Sequence, residues 1–509
     1  MRRNRWPAVA AAVLAAACGG SDGPPPPPSG SFTLSGTVTY DSVPATASGL
    51  AYGATVAKPV RCAVVEVVAG AQVLGGATTS QLGAYSISWT GPAAVSVRVK
   101  AQILAPPMRV QDNAGGGALY ALDSGPVDAS ATTTLNLRAQ SGWTGSSYGA
   151  PRAAGPFAIL DAMLSAANAF LAVAPSTTFP ELRANWSAGN QAGTYYDPQA
   201  QQLYILGQAD VDTDEYDSHV VVHEWGHYYE DRLSRADSPG GPHGLGDQKD
   251  PRLAFSEGWG NALGAIALYP NDVYADTMGA GQARGFWFPL EGNTADDPVP
   301  GWWSEMSVAH FLYDLFDPAS VPDGDPVALG LGPIHEVMVG DQKTTPAFTT
   351  LFSFVDAMKR ARPGEASTID AMLSGRGIAS PVQDAWGTGE AHAAWAPSLP
   401  VYRSLAVGGA STAVSFHAGY ELNDLHQNRF LRFTGTGGTV TVSAGNATVD
   451  VSLEVWRAGQ LLRYVDVYPH GEEVAPSIPT VAEDDYLVLV TGWEMTGSLY
   501  SVPVSVTSP

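Results

Sequence analysis

The hydrophobic positions of this chain change period along its length. Residues 35–40, 64–68, 85–89 and 95–100 alternate apolar with polar, and Gly- and Pro-rich turns separate them. A period of two predicts half-buried strands, and short strands at this spacing predict a β-sandwich over 31–139. At 157–171 the apolar positions move to helical spacing and predict a core-packing helix. Two strand candidates, 193–196 and 202–206, come next. Helical stretches are then predicted over 217–232, 253–267, 300–316, 348–361 and 367–373. Period two returns at 449–456, 486–490 and 501–506, which predicts a second sandwich over 399–509.

Composition narrows this picture. There are 56 Gly and 38 Pro, and charged residues make up only 15% of the chain, which favours a loop-rich, β-rich secreted protein. The net charge of −23 argues against a nucleic-acid partner, because no basic series could neutralise phosphates. Only Cys18 and Cys62 exist, so no disulfide framework and no thiolate metal site are available. Cys62 falls in a strand-like run and reads as a small core residue.

The N-terminus reads as an export signal. Arg2, Arg3 and Arg5 precede a short apolar run at 8–17, too short for a permanent membrane span. The run ends at Leu14-Ala15-Ala16-Ala17-Cys18-Gly19, which resembles a bacterial lipobox with Ala15 where Leu is usual. The resemblance implies a signal peptide over 1–18 and acylation of Cys18; an ordinary signal peptide cut nearby is the alternative. Residues 19–30 are a proline-rich linker, stiff and extended. The expected location is outside the cytoplasm, lipid-anchored to a bacterial cell envelope at the outer membrane or cell surface. The membrane is contacted only through that lipid.

The chemistry concentrates at His223-Glu224-Trp225-Gly226-His227. On a helix, positions i and i+4 share a face, so His223 and His227 can offer nitrogens to one metal ion. Glu224 sits where a carboxylate could take a proton from the attacking water. Catalytic zinc takes three protein ligands as a rule. Further along, 253–267 reads as a buried helix of small residues carrying Glu257, a costly carboxylate unless a metal compensates it. HExxH followed by Glu257-Gly258-Trp259-Gly260-Asn261 resembles the gluzincin clan of zinc metallopeptidases, thermolysin-like and fungalysin-like. The resemblance covers mainly 200–320. It implies one Zn2+ on His223, His227 and Glu257, with Glu224 as general base. Those families commonly have an Asp at the position of Asn261, orienting the first His; Asn keeps the hydrogen bond and loses the charge, so metal affinity or turnover is expected to fall.

The resemblance also implies a rim strand that pairs with the substrate backbone, and 202–206 is preferred over 193–196 for that role. A donor to the developing oxyanion is needed, and His310, Tyr313 and His335 are the candidates. His219 lies on the face of His223 and His227 but too far along it to share their metal. The acidic run from Asp210 to Asp217 suggests Ca2+ weakly, since the EF-hand glycine and its final Glu are missing; acidic residues favouring a helix N-terminus are the plainer account. Residues 59–68 and 78–87 resemble the transthyretin-like fold called carboxypeptidase regulatory-like. Residues 428–433 with 483–490 resemble C-terminal β-sandwiches appended to secreted bacterial peptidases.

The sequence therefore predicts a multidomain protein with an α+β zincin-like catalytic domain over 140–398, flanked by two all-β sandwich domains. Its expected activity is that of a zinc metalloendopeptidase acting on peptide or protein substrates. The alternative is a cell-surface scaffold or adhesion lipoprotein with an impaired zinc site.

Overall fold

A computed structural model describes residues 29–291, 297–317, 327–378, 384–419, 421–446 and 448–509. The expected signal peptide with Cys18, and all of the linker except its last two residues, lie outside the described residues. The first strand, Ser29–Ser42, begins in those two residues. It pairs antiparallel with Ala84–Pro92 and then with Val56–Pro59, and parallel with Leu137–Ala139.

The sandwich expected over 31–139 is not a separate unit. A ten-stranded sheet runs in the order Tyr195–Asp197, Gln202–Ile205, Leu182–Trp186, Pro107–Asp112, Ala94–Leu104, Ala63–Ala69, Gln72–Thr78, with three short strands on its margins. Leu182–Trp186 lies parallel to Pro107–Asp112, so the sheet crosses the expected boundary at 139/140 without a break. Parallel neighbours need a long crossover. Helix α1, Gly155–Val173, lies within it and packs back against Pro107–Asp112 and Ala94–Leu104. Its Pro156 suits a first helical turn, and Phe157, Ile159, Leu160, Met163, Leu164 and Phe170 are buried. Among the described residues it is the one helix long and apolar enough to cross a membrane, and here it fills the core. Cys62 also departs from expectation. It adopts φ +56 in the bend before Ala63–Ala69 and is half-buried, because that left-handed turn takes it out of the strand's inward alternation.

Helices α2, Ser218–Arg232, and α3, Pro251–Leu268, pack side by side, and α4, Glu305–Phe316, lies along the other flank of α3. Asp250 caps α3 by accepting the Arg252 N–H at 2.9 Å, with Pro251 at the first turn. Ser304 caps α4, so the helix expected from 300 starts at Glu305. A small sheet of Gly207–Gln208, Asp212–Thr213, Val273–Met278 and Arg284–Pro289 lies beside α2 and α3. Helices α5, Leu331–Val337, α6, Leu351–Ala361, and α7, Ala366–Gly375, follow.

The C-terminal region is a sandwich of a five-stranded and a four-stranded sheet around its own core, which includes Val414, Phe416, Leu431, Val455 and Val488. Strand Asp485–Gly492 is buried on both faces. Alternate residues explain this: Val488 and Val490 fill the sandwich, while Leu487 and Leu489 join the main core with Tyr402 and Phe430. Arg252 at the start of α3 lies over the rings of Phe348 and Phe430, 4.8 and 5.1 Å from their centroids. The loop before α3 is held by the sandwich as well. Asn423 Nδ2 donates to Gly240 O at 2.6 Å, Asp250 N to Asn423 O at 2.8 Å and Leu425 N to Gln248 O at 2.7 Å, while Lys249 pairs with Asp424 at 2.9 Å.

Candidate metal centre

Small residues decide how closely α2 and α3 approach. A Cβ on Gly260 would sit 2.8 Å from His223 Nδ1, so only glycine leaves room for that ring. A Cβ on Gly258 would lie 2.5 Å from the Val308 Cβ, so the other side of the motif is fixed by α4. Between them the helices present three ligand atoms to one point. His223 Nε2 lies 3.0 Å from His227 Nε2 and 3.0 Å from Glu257 Oε2, and His227 Nε2 lies 3.3 Å from the same oxygen. Bonds of about 2.0–2.1 Å in a tetrahedral zinc site put neighbouring ligand atoms about 3.3 Å apart, so the donor set and its spacing fit Zn2+.

Each imidazole is oriented from behind. His223 Nδ1–H donates to Asn261 Oδ1 at 2.9 Å. His227 Nδ1–H donates to Ser256 Oγ at 3.2 Å, and the Ser256 hydroxyl donates to Glu230 Oε2 at 2.6 Å. Both arrangements leave Nε2 free for the metal, the usual role of such partners. Without a metal, burial opposes charge on His227, but Glu257 overcomes it and lifts the imidazole to about 10. Burial likewise raises Glu230, to about 7.

Glu224 is 8% exposed and faces a cleft that the triad divides in two. The larger part, about 590 Å³, is lined by Tyr195, Tyr196, His227, Glu230 and Ser238. The smaller, about 350 Å³, is lined by His223, Asn261, Tyr274, Phe286 and three aspartates. Thr194, Glu224 and His243 border both. One Glu224 oxygen accepts the Tyr196 N–H at 2.8 Å. That contact comes from Tyr195–Asp197, the end strand of the large sheet. Strand Gln202–Ile205, preferred above for the rim, has partners on both sides and offers no free edge. The edge role passes to the 193–196 candidate.

The expected oxyanion donors stand elsewhere. His310 Nε2 contacts Pro289 O at 3.1 Å, His335 Nδ1 accepts the Tyr229 hydroxyl at 2.7 Å, and Tyr313 is buried on α4. None of the three lines the cleft, because α4 and α5 turn those side chains into the helical core. The residue that does line it is His243, from the glycine-rich loop between α2 and α3. Its Nδ1–H donates to Glu305 Oε2 at 2.8 Å and its Nε2 lies 3.2 Å from Glu257 Oε2. Burial opposes its charge, yet the Glu305 hydrogen bond and the Glu257 charge raise it to about 9. A histidine set among Gly240, Gly241, Gly244 and Gly246, between the two motif helices, was the available signal.

His219 is turned away, with Nε2 3.0 Å from Asn271 O. Of the acidic run considered for Ca2+, Asp210 accepts the Gly281 N–H and Asp217 accepts from Thr277 N and Oγ1. Only Asp212 and Asp214 face each other, and Asp276 joins them from another strand.

The family model of the Mycolysin C-terminal domain matches residues 167–348, a span that contains α2, His243, α3 and α4. The chain is peptidase-related. That match ties it to the metallopeptidases and names no catalytic residue by itself. No curated protein matches the chain. Among solved structures, the pre-peptidase C-terminal domain of a Bacillus anthracis collagenase is similar at 9% identity and a TM-score of 0.16, covering 21% of this chain and 93% of that one. Periplasmic inhibitors of g-type lysozyme from Aeromonas hydrophila and Salmonella Typhimurium are similar at 16% and 17% identity, with TM-scores of 0.15 and 0.13. They cover 21% and 20% of this chain and 96% and 98% of their own. Likenesses this low carry no argument about activity.

Proposed function

We propose that this chain is a zinc-dependent metalloendopeptidase of gluzincin type, with residues 140–398 as its catalytic part. The observation that carries this reading is the convergence of His223 Nε2, His227 Nε2 and Glu257 Oε2 within 3.3 Å of one another, beside Glu224 in an open cleft. A zinc ion held by those three atoms supplies a Lewis acid that polarises a carbonyl and lowers the pKa of water. The remaining work belongs to the chain. An extended peptide lies along Tyr195–Asp197, the end strand of the large sheet, beside Glu224. Glu224, with one oxygen fixed by Tyr196 N–H, uses the other to take the proton of the attacking water and passes it to the leaving amine. His243, aimed by Glu305, donates from Nε2 to the carbonyl oxygen as charge develops on it.

In this reading the protein works outside the cytoplasm, held to the cell envelope through acylated Cys18. The test is digestion of an unfolded protein mixture by the mature chain, with zinc and after chelation. Zinc-dependent cleavage supports the reading. No cleavage despite one tightly held zinc per chain returns the scaffold alternative.

A further inference from the structure

The smaller half of the cleft gathers three carboxylates, Asp212, Asp214 and Asp276. Asp212 and Asp214 stand two apart on extended chain and so share a face. Asp212 lies opposite Met278 in the small sheet, which brings Asp276, two positions earlier on Val273–Met278, alongside. One oxygen from each of the three lies within 4.8 Å of the others. Asp214 is 3% exposed and its Oδ2 accepts the Thr194 hydroxyl. Its Oδ1, like Oδ1 of Asp212 and of Asp276, is buried without a hydrogen-bond partner. A buried acceptor left unpaired carries an uncompensated desolvation cost, larger when it is charged. Three carboxylates grouped this closely, each with a buried Oδ1 lacking a partner, suit a cationic donor from outside the chain.

The lining says which kind. Among the described residues, no Lys or Arg borders this half. Tyr274, Phe286 and Phe288 do, with Phe286 42% exposed, and aromatic faces attract organic cations. Asp212 and Asp276 are half-buried and open to the same space as His223 and Glu224. A hard metal ion such as Ca2+ takes about 6–8 oxygens. Three carboxylates around a cavity of about 350 Å³ suit the end of a long side chain better than a bare ion.

We propose that Asp212, Asp214 and Asp276 form a subsite for the ammonium or guanidinium of a lysine or arginine in the peptide substrate, close to the bond that is cut. This rests on the peptidase reading above. Asp214 anchors the cation at the closed end, and the aromatic rings flank its aliphatic stem. The enzyme then selects basic peptides by charge in one half of the cleft, while the edge strand holds backbone without regard to sequence.

Short synthetic peptides carrying one Lys at successive positions, and twins carrying norleucine, test it. Binding is measured by calorimetry on the zinc-loaded Glu224→Gln chain, and cut sites are mapped on the unaltered chain. Lys at one position should tighten binding about tenfold over norleucine, an advantage that added salt weakens. The advantage should vanish when Asp214→Asn is added, and shrink with Asp276→Asn, which alters a more exposed member. Cut sites should carry Lys or Arg at one fixed place. Equal binding of Lys and norleucine peptides overturns the proposal. So does one Ca2+ per chain held by the unaltered protein and lost in Asp214→Asn. Cleavage without basic preference sinks the subsite alone. A Lys preference in binding with no cleavage of any peptide sinks only the hydrolytic reading.

Discussion

His223, His227 and Glu257, between the two parts of the cleft, and Asp212, Asp214 and Asp276, in its smaller part, are both clusters of three ligand-capable side chains. They are supported very differently. Behind the first, Asn261, Ser256 and Glu230 fix each ring, so both imidazoles are committed to one tautomer and one direction. Behind the second, Thr194 donates to Asp214 and Asp212 meets Asp214 side chain to side chain, while Oδ1 of each aspartate lacks a donor. The first cluster is built to hold a ligand in a fixed geometry, as the proposed zinc would require. The second offers charge to something less exact. In the reading proposed above, rigid support goes with the chemistry and open carboxylates with selection of the substrate.

Substitutions should expose that difference in descending order of effect. Glu224→Gln should cut kcat by about 10³-fold or more while zinc content stays at one per chain, read by turnover and by metal analysis. Retained hydrolysis would remove Glu224 from its role. Glu257→Gln should cost zinc affinity about 100-fold, measured by competition with a chelator, since the site loses its charged ligand. His243→Ala should lower kcat about 10²-fold with little change in KM, as expected for a donor used in the transition state.

The acidic cluster should respond in stability instead. Burial, then the neighbouring charges of Asp217, Asp212 and Asp276, raises Asp214 well above the ordinary carboxylate range, and burial raises Asp276 to about 7. A folded-state pKa above the unfolded one means the folded chain binds more protons, so stability falls as pH rises from about 4 towards 7. Asp214→Asn should therefore stabilise the substrate-free protein by about 1–3 kcal/mol at pH 8 and by much less at pH 4, seen in thermal melts at both values. Equal shifts at both pH values would mean the cluster is already neutralised. The smallest effect is expected from Asn261→Asp, which restores a charge behind His223 and should tighten zinc about tenfold. An unchanged affinity would show that orientation, not basicity, is what Asn261 contributes.

The legible parts of the molecule were the local ones. HExxH and the Glu257 helix could be read because helical spacing sets which side chains share a face, and Gly258 and Gly260 were visible as small residues although their reasons were not. The return to period two after 399 was equally visible. Strand order was not. Nothing in 107–112 or 182–186 announces that they pair in parallel, so the first sheet looked like a detachable module, and the wrong strand looked like the cleft's edge. His243 escaped for the same reason: its place depends on Glu305, which lies 62 positions away and carries no motif.

The clasp between the C-terminal sandwich and the loop of His243 has a consequence in time. Gly240 takes a hydrogen bond from Asn423, 183 positions later, and Asp250, which starts the Glu257 helix, takes one from Asn428, 178 positions later. A chain emerging from the N-terminus can form α2 and α3 well before those partners exist. It cannot secure the loop between them until the final sandwich has been made and has docked. The sandwich, made after both helices, thus acts as a closing latch, and a chain cut short before it would carry His223, Glu224, His227 and Glu257 yet lack the hydrogen bonds that tie the His243 loop at Gly240 and Gln248.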